Sequence, residues 1–309
     1  MKPNTKTIRC IGFLVLLTAV VQLLSPVFTP KNELGSILDE PTNSLDYLVI
    51  GDSECYTSIS PMELWRNYGF AGYDCGVSAQ RIQDAYYQLE KTLRHQTPKV
   101  ILMETNLIFR NLGLRQETVT AFDHYVGNTV GLYKYHDNWK QLVTLGTTAA
   151  LKQSMFKGMR YRAEVSPYTG GPYMAETEKK QPIGEVQEMY LDKIVGLCRD
   201  KKIRLVLYSV PSPHCWNRKK HNSVAEYARV NKLTFLDLNL IADQIGIDWS
   251  KDTYDRGDHL NFSGALKVTG YMGEYLSARI KLPDHRKEPA YSAWNADLGE
   301  YLKSTGQSA

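Results

Sequence analysis

Apolar and polar positions follow two different rhythms along this chain. Short apolar runs at 47–50, 100–103, 205–210 and 235–238 are bounded by polar, Gly or Pro residues, the pattern of strands buried on both faces of a parallel sheet. A fainter run at 70–75 is a candidate for a further strand, second in chain order. Between the runs the period becomes helical: Ile82, Tyr86, Leu89 and Leu93, then Val186, Tyr190, Ile194 and Leu197, then Ala265, Val268, Met272 and Leu276 each share one helical face. Strands alternating with helices imply right-handed crossovers. The expected fold is α/β, a flavodoxin-like three-layer α/β/α arrangement around a mostly parallel sheet. Such sheets bind ligands beyond the carboxyl ends of their strands. Ser53, Gly76, Asn106 and His259 all follow expected strands on that edge.

The first thirty residues have a rhythm of their own. Lys2, Lys6 and Arg9 precede an uncharged stretch, residues 11–28, close to the ~20 residues that span a bilayer. A cleaved signal peptide shares the order of basic, apolar and polar segments, but no small-x-small site follows Leu24, which favours an uncleaved anchor. Basic residues before the span place residues 1–10 in the cytoplasm and the rest outside the cell membrane. The expected organisation is therefore a cytoplasmic segment 1–10, a transmembrane helix 11–28 and a polar spacer 29–44. A catalytic domain 45–282 carries an insertion at about 107–181, and a tail 283–309 follows.

Composition narrows the function classes. A net charge of +4 over 309 residues, with no Lys/Arg block on a helix face, gives no footprint for nucleic acid. Five cysteines, Cys10, Cys55, Cys75, Cys198 and Cys215, lack CxxC spacing, so neither a zinc site nor another metal is expected, and no cofactor motif is present. Cys55 and Cys75 could pair in an exported domain, although cysteine more often serves as a small buried hydrophobe.

The chemistry is carried by Ser53 and His259. Ser53 ends an apolar strand and precedes Pro61-Met62-Glu63-Leu64-Trp65, which reads as a helix start, so it should lie exposed on a strand-turn-helix edge. His259 lies in the polar stretch Asp255-Arg256-Gly257-Asp258-His259-Leu260-Asn261 before the last apolar helix. A hydroxyl nucleophile and an imidazole base are the two proton-handling partners of acyl transfer. Each residue also has an ordinary alternative: a turn or capping serine, a turn glycine at Gly76, a strand-end asparagine at Asn106 and a helix-preceding histidine.

Four blocks in order resemble the SGNH (GDSL-like) hydrolases: Gly51-Asp52-Ser53-Glu54, Asp74-Cys75-Gly76-Val77-Ser78, Glu104-Thr105-Asn106, and Asp258-His259-Leu260-Asn261 with Gly264. The resemblance spans about residues 45–280 without the insertion. It implies an SGNH hydrolase fold, Ser53 as nucleophile, His259 as base, and an oxyanion hole formed by the Ser53 N–H, the Gly76 N–H and the Asn106 side chain. Family members place the acid three residues before the histidine, where this chain has Arg256. Asp255 and Asp258 are the candidates. A one-residue bulge at Gly257 would let Asp255 reach the imidazole, leaving Asp258 to cap the next helix or hold the loop.

Within that superfamily, the anchor, the aromatic insertion and the histidine block resemble the D-alanine transfer protein of teichoic-acid alanylation and the polysaccharide O-acetylation proteins. That likeness implies an acyl-serine passed to a cell-envelope polysaccharide or polyol, with a membrane-bound O-acyltransferase as partner. An esterase or deacetylase using water, and a non-catalytic docking partner of the transferase, are the competing readings. Tyr133, Tyr135, His136 and Trp139 are dense enough to leave an aromatic exposed for sugar or protein contact, while the alternative for the insertion is a peripheral helical subdomain whose aromatics pack on the sheet.

Overall fold

The structure is a computed structural model, in which residues 5–28, 35–110 and 154–308 are described, with a few positions between 115 and 127. Tyr133, Tyr135, His136 and Trp139 lie outside the described residues. The chain divides into two compact units, Met1–Glu33 with Arg115–Thr148, and Leu34–Leu114 with Ala149–Ala309.

In the first unit, α1 (Thr5–Phe28) is a 24-residue helix, about 36 Å long at 1.5 Å per residue. Its stretch from Lys6 to Leu24 is long and apolar enough to cross a membrane, with a mean hydropathy of 2.1. Phe13, Val15, Leu16 and Leu23 are all more than half exposed.

The second unit is built on five parallel strands, β1 (Tyr47–Ile50), β2 (Gly72–Asp74), β3 (Val100–Glu104), β4 (Arg204–Ser209) and β5 (Thr234–Asp237), in the order β2-β1-β3-β4-β5. Among the described residues the helices after α1 include α2 (Ser53–Tyr56), α3 (Pro61–Tyr68), α4 (Ile82–Thr92), α5 (Glu185–Asp200), α6 (Arg218–Asn231), α7 (Phe262–Tyr275) and α8 (Ser292–Thr305), with a further single turn at Ala242–Ile245. Every residue of β1 and β3 is buried, as apolar runs covered on both faces require. Tyr47, Val49, Val100, Leu102, Val206 and Tyr208 form one core with Leu64 of α3 and Val268 and Met272 of α7. The alternate residues, Leu48, Ile50, Ile101, Met103 and Leu207, point to the opposite face. There α5 packs on α4 and β4, which gives three layers.

Local chemistry sets the helix ends. Ser60 accepts from the Glu63 N–H, Pro61 takes the first helical position of α3, and Gly69 closes that helix at φ 75°. Residues 283–309, expected as a tail, instead carry a folded helix. Trp294, Tyr301 and Leu302 on one face of α8 are buried, Trp294 packs on Trp65 with ring centroids 5.1 Å apart, and the Tyr301 hydroxyl meets Ser60 Oγ at 2.9 Å. That i, i+7, i+8 apolar face is the signal the tail reading overlooked.

The sheet order reverses at β1, where β2 lies on one side and β3 on the other. The loops after β1 and β3 therefore open a crevice at their carboxyl ends. Ser53 and Asn106 sit there.

Candidate active site

Ser53 is the first residue of α2, three residues beyond β1. Gly51 allows that tight exit, since a Cβ at this position would stand 2.6 Å from Glu104 Cβ. Asp52 caps the short helix by accepting from the Glu54 N–H at 3.0 Å. The first N–H of a helix has no intrahelical acceptor, so the Ser53 amide remains a donor at the nucleophile's own base.

His259 is 206 residues later, and its Nε2 lies 2.7 Å from Ser53 Oγ. On the other side of the ring, Nδ1 lies 2.6 Å from Asp255 Oδ2, while Asp255 Oδ1 accepts the His259 backbone N–H at 2.7 Å. The left-handed turn at Arg256 (φ 67°) and Gly257 (φ 94°) folds Asp255 back toward the ring. Burial pushes the Asp255 carboxyl up, but hydrogen bonds from the His259 ring and backbone outweigh it and hold it below the ordinary carboxylate range. An ionised Asp255 only accepts, so Nδ1 carries the ring proton and Nε2 accepts from the serine hydroxyl. Tyr254 stacks on the imidazole at 5.6 Å with the planes 18° apart.

Three expectations are corrected here. Asp258 is not the partner of the ring: its Oδ2 lies 3.7 Å from Nδ1, beyond hydrogen-bond reach, and its Oδ1 accepts from the Cys215 thiol at 2.9 Å. Nor does it cap α7, whose cap is Asn261, accepting from the Gly264 N–H. Ser53 is not exposed, at 8% of its surface, and His259, with Tyr254 stacked on its ring, sits against the hydroxyl. Gly76 does not offer its N–H to the crevice, since it donates to Asp74 Oδ1 at 2.8 Å in a tight turn.

Asn106 lies at the end of β3, with its Nδ2 donating to Asp52 Oδ2 at 3.0 Å and its Oδ1 accepting from Lys220 Nζ at 3.0 Å. Lys220 can only donate, so the amide oxygen must face it and the amide orientation is forced. Arg110 Nε closes the far side on Asp52 Oδ2 at 2.7 Å. Sequence reasoning missed Lys220, Arg110 and Cys215. No spacing links them to the serine.

The crevice floor is acidic. Burial, reinforced by Asp52 and Glu104, pushes the Glu54 carboxyl well above its ordinary value. Burial and Asp52 do the same to Glu104, both of whose oxygens accept the Asn106 backbone N–H at 2.9 Å. Burial above all also pushes the Cys215 thiol up, so it remains a protonated donor to Asp258 and no rival nucleophile. Glu54, Asp258 and His259 bring ligand-type atoms within 4.8 Å of one another. That set suits a cation poorly, because both His259 ring nitrogens are engaged in hydrogen bonds and burial disfavours the charged form of Glu54. All five cysteines are free, and Cys55 donates to Asp74 Oδ1 instead of pairing with Cys75.

Residues 160–168, part of the described end of the expected insertion, run beside the site. The Arg160 N–H donates to the Tyr56 carbonyl, the Phe262 N–H to that of Arg162, and the Ser166 N–H to that of Thr253.

The fold and this geometry define an α/β protein with a Ser-His-Asp constellation at the sheet's switch point. No protein-family model matches the chain, and no curated protein matches it. Among solved structures it is similar to a GDSL-like lipase from Bacteroides thetaiotaomicron, at 11% identity over 75% of this chain and 87% of that one, with a TM-score of 0.37. It is also similar to a lipase/acylhydrolase from Enterococcus faecalis, at 9% identity over 76% and 97%, with a TM-score of 0.39. An acetyl xylan esterase is similar at 14% identity over 74% and 99%, again with a TM-score of 0.39. These are likenesses of fold. The chemistry of the site is read from its own distances and from the sheet order that creates it.

Proposed function

We propose that this protein is a serine-dependent acyl-transfer enzyme of the esterase type, working through an acyl-Ser53 intermediate. The carrying observation is the unbroken relay from Ser53 Oγ to His259 Nε2 at 2.7 Å and from Nδ1 to Asp255 at 2.6 Å. Ser53 Oγ attacks the carbonyl carbon of an ester or thioester while His259 takes its proton. The carbonyl oxygen becomes an oxyanion, received by the Ser53 N–H and the remaining Asn106 Nδ2–H. Collapse expels the leaving alcohol or thiol, which regains a proton from His259. An acceptor hydroxyl then gives its proton to His259 and attacks the acyl-serine, restoring Ser53.

The acceptor we propose is a hydroxyl of a cell-envelope polysaccharide or polyol. A serine only 8% exposed, with residues 160–168 hydrogen-bonded along its loops, supports transfer over hydrolysis, because transfer needs water held off while the acceptor binds. The apolar helix α1 supports single-pass anchoring, and Lys6 and Arg9 at its N-terminal end support an extracytoplasmic domain. A membrane-bound O-acyltransferase delivering the acyl group is the partner that this placement suits. Intact-mass measurement after exposure to an activated ester or fluorophosphonate tests the reading, with the adduct expected on Ser53. Adding glycerol in rising amounts then divides the acyl group between glycerol and water. Release to water alone would make the protein a hydrolase.

A further inference from the structure

Lys220 is oddly placed for a structural lysine. It lies in the first turn of α6, where Asn217 caps the helix by accepting the Lys220 N–H at 3.1 Å and no acidic residue balances the charge. A cation there is opposed by the helix dipole. The side chain is half-buried, yet among the described residues its ammonium makes no ion pair within 4.0 Å. Its hydrogen bonds go to two neutral oxygens, Asn106 Oδ1 at 3.0 Å and the Cys215 carbonyl at 2.5 Å. The rings of Phe109 and Trp216 flank it at 5.2 and 6.0 Å. Withdrawing a cation from water onto neutral acceptors is costly, and sites that break a local rule in this way are where function is found.

We infer that Lys220 is a positioning residue, which locks the Asn106 amide with one Nδ2–H free for the oxyanion and holds a positive charge behind that amide. This rests on the acyl-serine reading above. Asn106 Oδ1 takes the ammonium and one Nδ2–H goes to Asp52, so the remaining Nδ2–H is the amide's one uncommitted donor. A cation on the amide oxygen draws electron density from the nitrogen and strengthens that donor. As negative charge develops on the substrate oxygen, the Lys220 ammonium on the amide oxygen favours it, and Arg110 holds the Asp52 oxygen to which the amide nitrogen is bonded. Burial pulls the Lys220 ammonium down, while Glu104 and Asp52 act against that pull.

Four variants test this on p-nitrophenyl acetate: Lys220→Met, Lys220→Arg, Asn106→Ala, and Lys220→Met combined with Asn106→Ala. Removing one oxyanion donor typically costs about 10²–10³ in rate, so losing its support should lower kcat about 10- to 100-fold with KM within about threefold. Lys220→Arg should recover part of the loss. In the Asn106→Ala background, Lys220→Met should cost less than about threefold, because the group it acts through is gone. Independent, multiplicative losses would overturn the inference, as would an effect confined to KM or full activity in Lys220→Met. Where Lys220→Met does not fold, Lys220→Gln, which keeps a donor to Asn106 without the charge, takes its place alone and with Asn106→Ala, and should lower kcat by about three- to tenfold alone but not in the Asn106→Ala background. Failure of both to fold would make Lys220 a structural bolt and refute the assignment. A wild-type protein that neither turns over the ester nor is labelled at Ser53 refutes the serine reading itself, before any variant is compared.

Discussion

Replacing Asp255 by Asn changes one oxygen to an amide nitrogen, and the geometry dictates what that does. Asp255 accepts two hydrogen bonds, from His259 Nδ1–H at 2.6 Å and from the His259 backbone N–H at 2.7 Å. Asparagine has a single acceptor oxygen. If that oxygen keeps the backbone N–H, the NH₂ faces Nδ1, which must then accept, and the ring proton moves to Nε2. A protonated Nε2 cannot take the Ser53 proton. If the amide flips instead, two donors meet at the backbone N–H and the turn holding His259 is strained. The tautomer error alone should lower kcat about 10³–10⁴-fold, equivalent to roughly 4–6 kcal/mol of barrier at ~1.4 kcal/mol per decade. Asp258→Asn should cost less than about threefold, since its oxygen is 3.7 Å from Nδ1. Steady-state turnover of p-nitrophenyl acetate, with circular dichroism to confirm folding, separates the two. A larger loss in Asp258→Asn would move the acid to that residue, and small losses in both would leave a Ser-His dyad.

Ser53→Ala and His259→Ala should each abolish turnover while the melting temperature stays close to wild type, because neither belongs to the apolar core; full activity in Ser53→Ala sinks the nucleophile assignment. Gly257→Ala should lower kcat at least tenfold, since its φ of 94° is left-handed and an added Cβ would stand 2.9 Å from the Tyr168 ring, so the turn aiming Asp255 must shift; an unchanged rate would show that the turn does not hold the acid. Asp74→Asn should flatten the pH dependence of stability. Burial pushes the Asp74 carboxyl up to about 7 from 3.8, so the unfolded chain loses this proton first and stability falls as pH rises from about 4 to 7. That window is about three units, or about 4 kcal/mol at ~1.4 per unit, which urea midpoints at pH 4.5 and 8 would reveal as a steeper decline in wild type than in the variant. Protease protection in intact cells should find residues after about 30 accessible from outside, and a soluble form beginning near residue 30 would mean the apolar helix is a cleaved signal.

The sheet was legible because each buried strand is a short apolar run with polar ends. The run at 205–210 became β4 at Arg204–Ser209, and 235–238 became β5 at Thr234–Asp237, each displaced by one residue. Ser53 and His259 could be singled out separately, but their meeting depends on a 206-residue closure that only the fold supplies. The choice of Asp255 followed from the glycine after Arg256. Lys220 was illegible because Arg218-Lys219-Lys220 reads as an ordinary solvated helix start, and only the packing turns one of the three inward. Ser53 was expected to be exposed because a strand-turn-helix edge is exposed when nothing packs on it, and nothing near Ser53 in sequence announces that His259, with Tyr254 stacked on its ring, sits against the hydroxyl.

The amide of Gly76 is engaged by a turn that recurs at four of the five strand ends. An acid at or just past the end of a strand accepts the N–H two residues on in four places: Asp52 from Glu54, Asp74 from Gly76, Glu104 from Asn106, and Asp237 from Asn239. These turns satisfy backbone donors that the loops would otherwise bury unpaired, which explains why so many carboxyl groups lie inside this edge. The same turn decides which donors an oxyanion can find. It engages the amide of Gly76 and the backbone amide of Asn106, but because Asp52 reaches past Ser53 to Glu54, the amide of Ser53 escapes it. In the mechanism proposed above the Asn106 side chain is the second donor, held on its oxygen by Lys220 and on its nitrogen by Asp52. A two-donor oxyanion hole depends heavily on the orientation of each donor. Asn106→Ala should therefore cost this protein at least as much in kcat as the loss of one donor from a three-donor site, and Gly76→Ala should act through the clash of its added Cβ with Cys55 Sγ, by lowering stability before rate.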